Sequence, residues 1–296
     1  MRFAALFCAC AVLLAAGCTA GEQCRTQLTA KQEWEALCRR MPQRRMPGTA
    51  DEPHLSSLSR DEEAVLRRAA DGAVDSVVQV RTIRRSAGGN RDDFSEARKA
   101  SSESGGTGVV ISADGLILTN EHVVRDAEQV SVLFHGGGEY AVEAIAVHPQ
   151  LDIAVLRIEQ TELQPHIPNL ERATTRTVVV AISGAFDRPG DCYRTGVVTH
   201  EVRSLQRELD PAGRRDYRGL VESTAKLEPG FSGGPLLDAT GHLVGLNVAV
   251  AGPAGTDRCR GYAIPFDERM LKAIEQLVTE AKAPGLPIGN QLNEAG

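Results

Sequence analysis

Apolar residues recur in this chain first at a helical period and then, over most of its length, at an extended one. Phe3 to Ala16 is almost wholly apolar. Thr29-Ala30-Lys31-Gln32 has the form of a capping box, which predicts a helix to roughly Arg39. Residues 41–60 hold three prolines and no apolar period, as a linker does. Ser59 with Glu62 three places on, followed by Val65, Leu66 and Ala69, predicts a second helix. Beyond Asp75 the pattern turns to short strands: Val77 to Ile83, then Gly108 to Ile111 and Leu116 to Leu118 about an Asp114-Gly115 turn. Val130 to Phe134, Val142 to Val147 and Ile153 to Ile158 continue the series, while residues 86–104 are polar enough to predict a long exposed loop. Pro165 and Pro168 interrupt the pattern within 161–176. A second series then runs through Val178–Ile182, Gly196–Val198, Gly219–Val221, Leu236-Leu237, Leu243–Val250 and Gly261–Ile264. Residues 267–283 return to a helical period with Met270, Leu271, Ile274, Leu277 and Val278. Many short strands joined by turn residues predict an all-β body of two barrels, about 73–165 and 172–266. An N-terminal helical extension (18–58) precedes the body that starts at Ser59, and a short C-terminal helix and tail (267–296) follow it.

Composition sharpens this picture. With 42% hydrophobic and 24% charged residues, the 296-residue chain can bury a sizeable core. Aromatics make up 4%, so that core is built from Val, Leu, Ile and Ala, and 29 glycines suit turns better than a helical bundle. A net charge of −6 argues against a nucleic-acid partner, which calls for a basic field. Residues 1–17 have the form of an export signal: Arg2 precedes an apolar run too short to span a bilayer. The run ends Leu14-Ala15-Ala16-Gly17-Cys18, which resembles a bacterial lipoprotein signal with Cys18 lipidated. Ala15 stands where leucine is usual, and a plain secretory signal is the alternative. The expected location is therefore the periplasm or the outer membrane, otherwise the medium, with membrane contact only through a lipid at Cys18. Export removes Cys8 and Cys10 and leaves Cys24, Cys38, Cys192 and Cys259, which an oxidising compartment favours as two bridges out of three possible pairings. Cys24 with Cys38 is the pairing of least chain closure. No C-x-x-C occurs and the histidines are scattered, so neither a metal nor a cofactor is expected.

Three segments carry the chemistry. Gly230-Phe231-Ser232-Gly233-Gly234-Pro235 sets a serine among glycines, where a tight turn can place backbone N–H donors beside its hydroxyl. Acyl transfer needs that combination of a nucleophile and donors for an oxyanion. Leu118-Thr119-Asn120-Glu121-His122-Val123-Val124 puts a histidine where a strand gives way to a helical turn. Leu151-Asp152-Ile153-Ala154-Val155-Leu156 puts an aspartate at the mouth of an apolar strand. Each alone is open to a structural reading; the set, in the chain order His, Asp, Ser, favours catalysis.

These residues resemble the trypsin-like serine proteases, and most closely the bacterial HtrA/Deg group. The resemblance covers about residues 73–266 through G-T-G-V-V-I, L-T-N-E-H-V-V, L-D-I-A-V-L, P-G-F-S-G-G-P-L-L, L-V-G-L-N and G-Y-A-I-P. It implies two perpendicular six-stranded barrels, chymotrypsin-like, with the active site between them and polypeptides as substrates. It further implies Ser232 as nucleophile, His122 as general base and acid, Asp152 as its orienting partner, and the N–H groups of Gly230 and Ser232 as the oxyanion hole. Three positions depart from the Deg pattern. Phe231 replaces an asparagine, which predicts a less steady loop. Val248 stands where a Ser or Thr hydroxyl supports the aspartate, which predicts a raised Asp152 pKa. Glu121 replaces an asparagine. Residues 265–296 are too few for a PDZ domain, so PDZ-borne regulation is not carried over. In the family fold the primary pocket would be lined by Lys226 and Leu227 with Asn247 and Val250 opposite. That predicts cleavage after small aliphatic residues, with Lys226 pointing to solvent, held there by Glu222 or Glu228. A lysine turned inward would instead give glutamyl specificity, and a protease-like binding protein without catalysis is the other alternative. Cys192 and Cys259, in loops bordering that pocket, are expected to form the second bridge.

Overall fold

In the computed structural model of the chain, residues 58–85, 101–166, 168, 173–186, 192–202, 215–251 and 260–283 are described. The expected export signal, the expected lipid site Cys18, the expected Cys24–Cys38 bridge, the expected helix from Thr29 and Cys259 lie outside them.

Helix α1 (Arg60–Ala73) opens on the expected capping box. Ser59 Oγ accepts from the Glu62 N–H at 3.3 Å, and the Glu62 carboxylate accepts from the Ser59 N–H at 2.8 Å. Its buried face is Leu66, Ala70 and Ala73, one position round from the predicted stripe.

Seven strands follow: β1 (Val77–Arg85), β2 (Ser101–Val110), β3 (Leu116–Thr119), β4 (Gln129–Phe134), β5 (Glu139–Ala141), β6 (Ala144–His148) and β7 (Ile153–Arg157), with a one-turn helix α2 (Glu121–Val124) after β3. They make one antiparallel sheet in the order β5-β4-β1-β2-β3-β7-β6. The expected six-stranded first barrel is thus a sheet of seven strands. The extra strand arises because a single run of chain bends. Val142 N–H donates to Val130 O of β4 at 3.0 Å, and the next residue, Glu143, donates to Arg157 O of β7 at 2.8 Å. The sheet's two edges are therefore consecutive stretches of one bent segment. β2 also starts earlier than the polar composition of 86–104 predicts, because Ser101 to Ser104 pair with β1 from Arg85 to Thr82.

The second series forms a closed barrel: β8 (Val178–Ile182), β9 (Tyr193–Val202), β10 (Leu220–Ser223), β11 (Pro235–Asp238), β12 (Leu243–Ala251) and β13 (Arg260–Pro265), in the order β10-β13-β12-β11-β8-β9. Each unit has its own apolar centre, Val78, Val80, Ile117, Val132 and Leu156 in the first and Val179, Ala181, Val221, Leu236 and Val244 in the second. Helix α1 packs on β8 and β11 of the barrel. The last helix, α3 (Glu268–Ala281), is capped by Asp267, whose carboxylate accepts from Met270 N–H at 2.9 Å, and returns to lie on β6 and β7 of the first sheet.

The sheets are also stitched together through β2. Thr107 N–H donates to Ser232 O at 2.8 Å, and Thr119 Oγ donates to Thr107 O at 2.7 Å. The end of β3, the turn before β7 and the turn before β11 are thereby brought to one place.

Candidate active site

Asp152 follows a 3₁₀ turn over Pro149–Leu151 and takes a left-handed conformation, φ 54° and ψ 45°, which aspartate tolerates better than most residues. That turn buries its side chain completely. The carboxylate is met on both oxygens. Oδ1 accepts from the His122 N–H at 3.0 Å and lies 3.5 Å from Arg215 Nε. Oδ2 lies 2.7 Å from His122 Nδ1 and accepts from the Tyr217 hydroxyl at 2.8 Å. Burial alone would push the Asp152 carboxyl up. The hydrogen bond and charge of His122, the Arg215 charge and the Tyr217 hydroxyl outweigh it and hold the carboxyl below its ordinary range. The raised pKa expected from Val248 is therefore overturned: His122 first, then Arg215, and last the Tyr217 hydroxyl hold the carboxyl down without a hydroxyl at position 248. With Asp152 ionised, the shared proton belongs on His122 Nδ1, which leaves Nε2 as the lone-pair nitrogen.

Ser232 sits in a loop shaped by its neighbours. Phe231 N–H donates to Glu228 O at 3.1 Å across Pro229 and Gly230, and Gly230 has φ 105°. Proline followed by a residue of positive φ is the signature of a type II turn, and glycine takes that φ without strain. Gly233 is constrained twice over: its φ is 81°, and a Cβ there would lie 2.2 Å from Thr107 O. The loop's amides divide into two sets. Phe231, Gly233 and Gly234 donate to Glu228 O, Asn247 O and Phe231 O. The amides of Gly230 and Ser232 have no acceptor among the described residues. Thr107 Oγ donates to Gly230 O at 2.6 Å and accepts from Gly184 N–H at 2.8 Å, which fixes the Gly230 peptide. Phe231 does not loosen the loop. It is buried in the barrel core beside Leu227 and Val198, with the Arg194 guanidinium 5.6 Å above its ring. Ser232 Oγ donates to Val248 O at 3.2 Å, so His122 and Asp152 are joined while the serine hydroxyl is turned to β12.

Glu121 is buried beside His122 and is held by Arg125 one turn on, with Arg215 3.7 Å away. Of the pocket residues, Leu227 is buried against Gly261, where a Cβ would lie 2.8 Å from Leu227 Cγ, and Lys226 is exposed. Of the two glutamates expected to hold Lys226, Glu228 meets Arg194 at 2.8 Å, and Glu222 meets Thr199 at 2.6 Å and Tyr262 at 3.0 Å. Asn247 is buried with its amide donating to Pro235 O at 2.9 Å, so it ties β12 to β11. Val250 pairs with Gly261 on the strand facing Leu227. Cys192 is half-buried, and its expected partner Cys259 lies outside the described residues. A groove of about 1090 Å³ runs along β1 and β2, past Arg81, Thr82, Gly105 and Gly106, to Pro229 and Gly230. Tyr217, Arg215 and Thr107 are the site residues that sequence reasoning missed; Arg215 and Tyr217 stand in an unpatterned polar run.

Residues 106–246 match the family described as the trypsin-like peptidase domain. A Chlamydia trachomatis protein named a probable periplasmic serine endoprotease DegP-like is 30% identical over 179 residues, covering 60% of this chain and 34% of that protein. A Pseudomonas fulva protein of the same name is 31% identical over 186 residues, 62% and 37% of the two chains. The match thus spans about a third of the length of these curated relatives. Among solved structures, the HtrA-type protease AlgW with a decapeptide superposes with a TM-score of 0.57 at 27% identity, covering 73% of this chain and 67% of that one. The Rv3671c protease of M. tuberculosis, in its active form, shares the fold at 22% identity with a TM-score of 0.60 over 83% of this chain and 97% of that one. The described body thus has the chymotrypsin-like fold, and over residues 106–246 it is similar to the trypsin-like peptidase domain, as the HtrA/DegP relatives also indicate.

Proposed function

We propose that the protein is a serine endopeptidase that hydrolyses polypeptides through an acyl-enzyme. The observation that carries this reading is the buried His122–Asp152 pair, 2.7 Å apart, beside a serine loop whose Gly230 and Ser232 amides are unclaimed among the described residues. In the reaction the Ser232 hydroxyl leaves Val248 O, turns to His122 Nε2 and gives up its proton as Oγ attacks the substrate carbonyl. Hydrogen bonds to the nucleophile are often made only in the substrate complex. The developing oxyanion takes the two free amides, and Asp152 stabilises the imidazolium. His122 then passes the proton to the departing amine, and water repeats the sequence to release the acyl group. The groove ending at Gly230 supports an extended peptide as substrate, and AlgW was solved with a decapeptide. Leu227 against Gly261 supports a shallow apolar primary pocket and cleavage after small aliphatic residues, with Lys226 outside it. The periplasmic relatives and the leader sequence together support export, with Cys18 as the proposed lipid site.

Ser232→Ala tests the assignment. Turnover of casein or a peptide library should fall by about 10⁴ or more, with the fold retained, and labelling by a fluorophosphonate should vanish. Unchanged turnover in the purified variant would sink the reading.

A further inference from the structure

We propose that Tyr217 is a positioning residue for the triad, its hydroxyl fixing the Asp152 carboxylate so that Oδ2 is held on the His122 ring. The inference rests on the peptidase reading and deepens it.

Asp152 is fully buried, so solvent does not complete its hydrogen bonds. Oδ1 is steadied from the backbone by the His122 amide and flanked by Arg215. Among the described residues Oδ2 meets two groups: the imidazole, which must rise and fall in charge during turnover, and the Tyr217 hydroxyl. Among them Tyr217 is thus the donor of constant charge on the oxygen that faces the histidine. It is a dependable donor, since burial, with the Asp152 charge second, holds the phenol protonated well above its ordinary range.

The backbone beside the ring is anchored from the first sheet and from α3. Tyr217 is 3% exposed, and its neighbour Asp216 donates its N–H to Gln150 O at 2.6 Å, beside the turn that shapes Asp152. Arg269 of α3 donates to the Asp216 carboxylate at 3.0 Å. Arg215 lies 5.9 Å from the Tyr217 ring centre and reaches toward both Asp152 and Glu121. The titratable and charged groups around Asp152 are therefore His122 from α2, Arg215 from the segment before β10 with Glu121 on its other side, and Arg125 at longer range.

Tyr217→Phe removes the hydroxyl and keeps the ring. The expected result is a fall in kcat of roughly tenfold with KM little changed, the scale of one hydrogen bond to a buried charge. The acidic limb of the kcat/KM profile should move to higher pH, because a carboxylate stripped of a donor favours the charged imidazole. Replacing Tyr217 by 3,5-difluorotyrosine, a stronger donor of nearly the same shape, should move that limb the other way. A folded Tyr217→Phe protein with wild-type kcat, or with lowered kcat and an unmoved limb, overturns the inference. If Tyr217→Phe fails to fold, an unmoved limb in the difluorotyrosine protein overturns it instead. Absence of turnover or fluorophosphonate labelling in the wild type would strike the peptidase reading itself, and that is seen before any Tyr217 variant is measured.

Discussion

Thr107 makes the serine loop's geometry an affair of two sheets. Its hydroxyl donates to Gly230 O, its amide donates to Ser232 O, and Gly184 donates back to the hydroxyl. Thr107→Val keeps the shape and deletes two hydrogen bonds in a buried setting, so the Gly230 carbonyl loses its shorter bond and is left to the one from Ser183 Oγ at 3.4 Å. The expected outcome is a fall in kcat of roughly tenfold to a hundredfold with little change in KM, read from steady-state kinetics on a peptide substrate. An equal rise in KM would mean that the threonine serves binding rather than the oxyanion. At this scale the sequence was legible wherever the chemistry is local. His122, Asp152 and Ser232 each stand in a motif that announces its own turn. Thr107 and Tyr217 were not, because their partners lie 123 and 65 residues away and nothing in G-T-G or D-Y-R says which oxygen they meet. Val248 shows the converse. Its missing hydroxyl was visible, and the conclusion that Asp152 would be poorly supported failed because the groups that hold its carboxyl down are tertiary.

Among the elements, strands with alternating or β-branched residues were legible almost to the residue, as Val178–Ile182 shows. The errors fall where pairing overrides composition. Ser101 to Ser104 become strand because β1 is long enough to offer them a ladder, and the Val142–Glu143 bend trims the expected Val142–Val147 strand to begin at Ala144, with the unexpected β5 ahead of it. The C-terminal helix was predicted from period alone, yet its purpose is tertiary: Ile274 and Leu277 are buried where α3 crosses β6 and β7. β7 begins at the residue after Asp152, so the helix supports the floor of the site. Ile274→Ala should cost about 2–5 kcal/mol in urea unfolding, the range for a large-to-small change at a fully buried position. Turnover per folded molecule should change little at low temperature, and a loss of less than about 1 kcal/mol would show that α3 is not part of the cooperative unit.

For the whole molecule, the segment that links the two sheets holds a titration that sets acid stability. His166 Nδ1 lies 3.1 Å from Ser76 Oγ, ahead of β1, and Nε2 lies 2.5 Å from Gly241 O, in the turn between β11 and β12. Burial lowers its pKa, with the Gly241 carbonyl and Asp238 opposing and His242 assisting. A base whose folded pKa is depressed takes up its proton first in the unfolded chain. Stability from this group is therefore complete above about pH 6.5, and it declines as pH falls toward the lower, folded value. The slope for one proton approaches about 1.4 kcal/mol per pH unit. The carboxylates act lower down: Asp152 and Asp114 are held below their ordinary range despite burial, and Asp216 chiefly by Arg218, so their contribution is present above about pH 4 and lost below it. Acid should thus weaken the protein in two stages, the first, beginning below about pH 6.5, from His166 and the second from the aspartates. Urea midpoints measured from pH 8 to pH 3 would trace both. His166→Gln should flatten the first stage and leave the second where it was; a first stage of wild-type size in that variant would move its origin away from the link between the sheets.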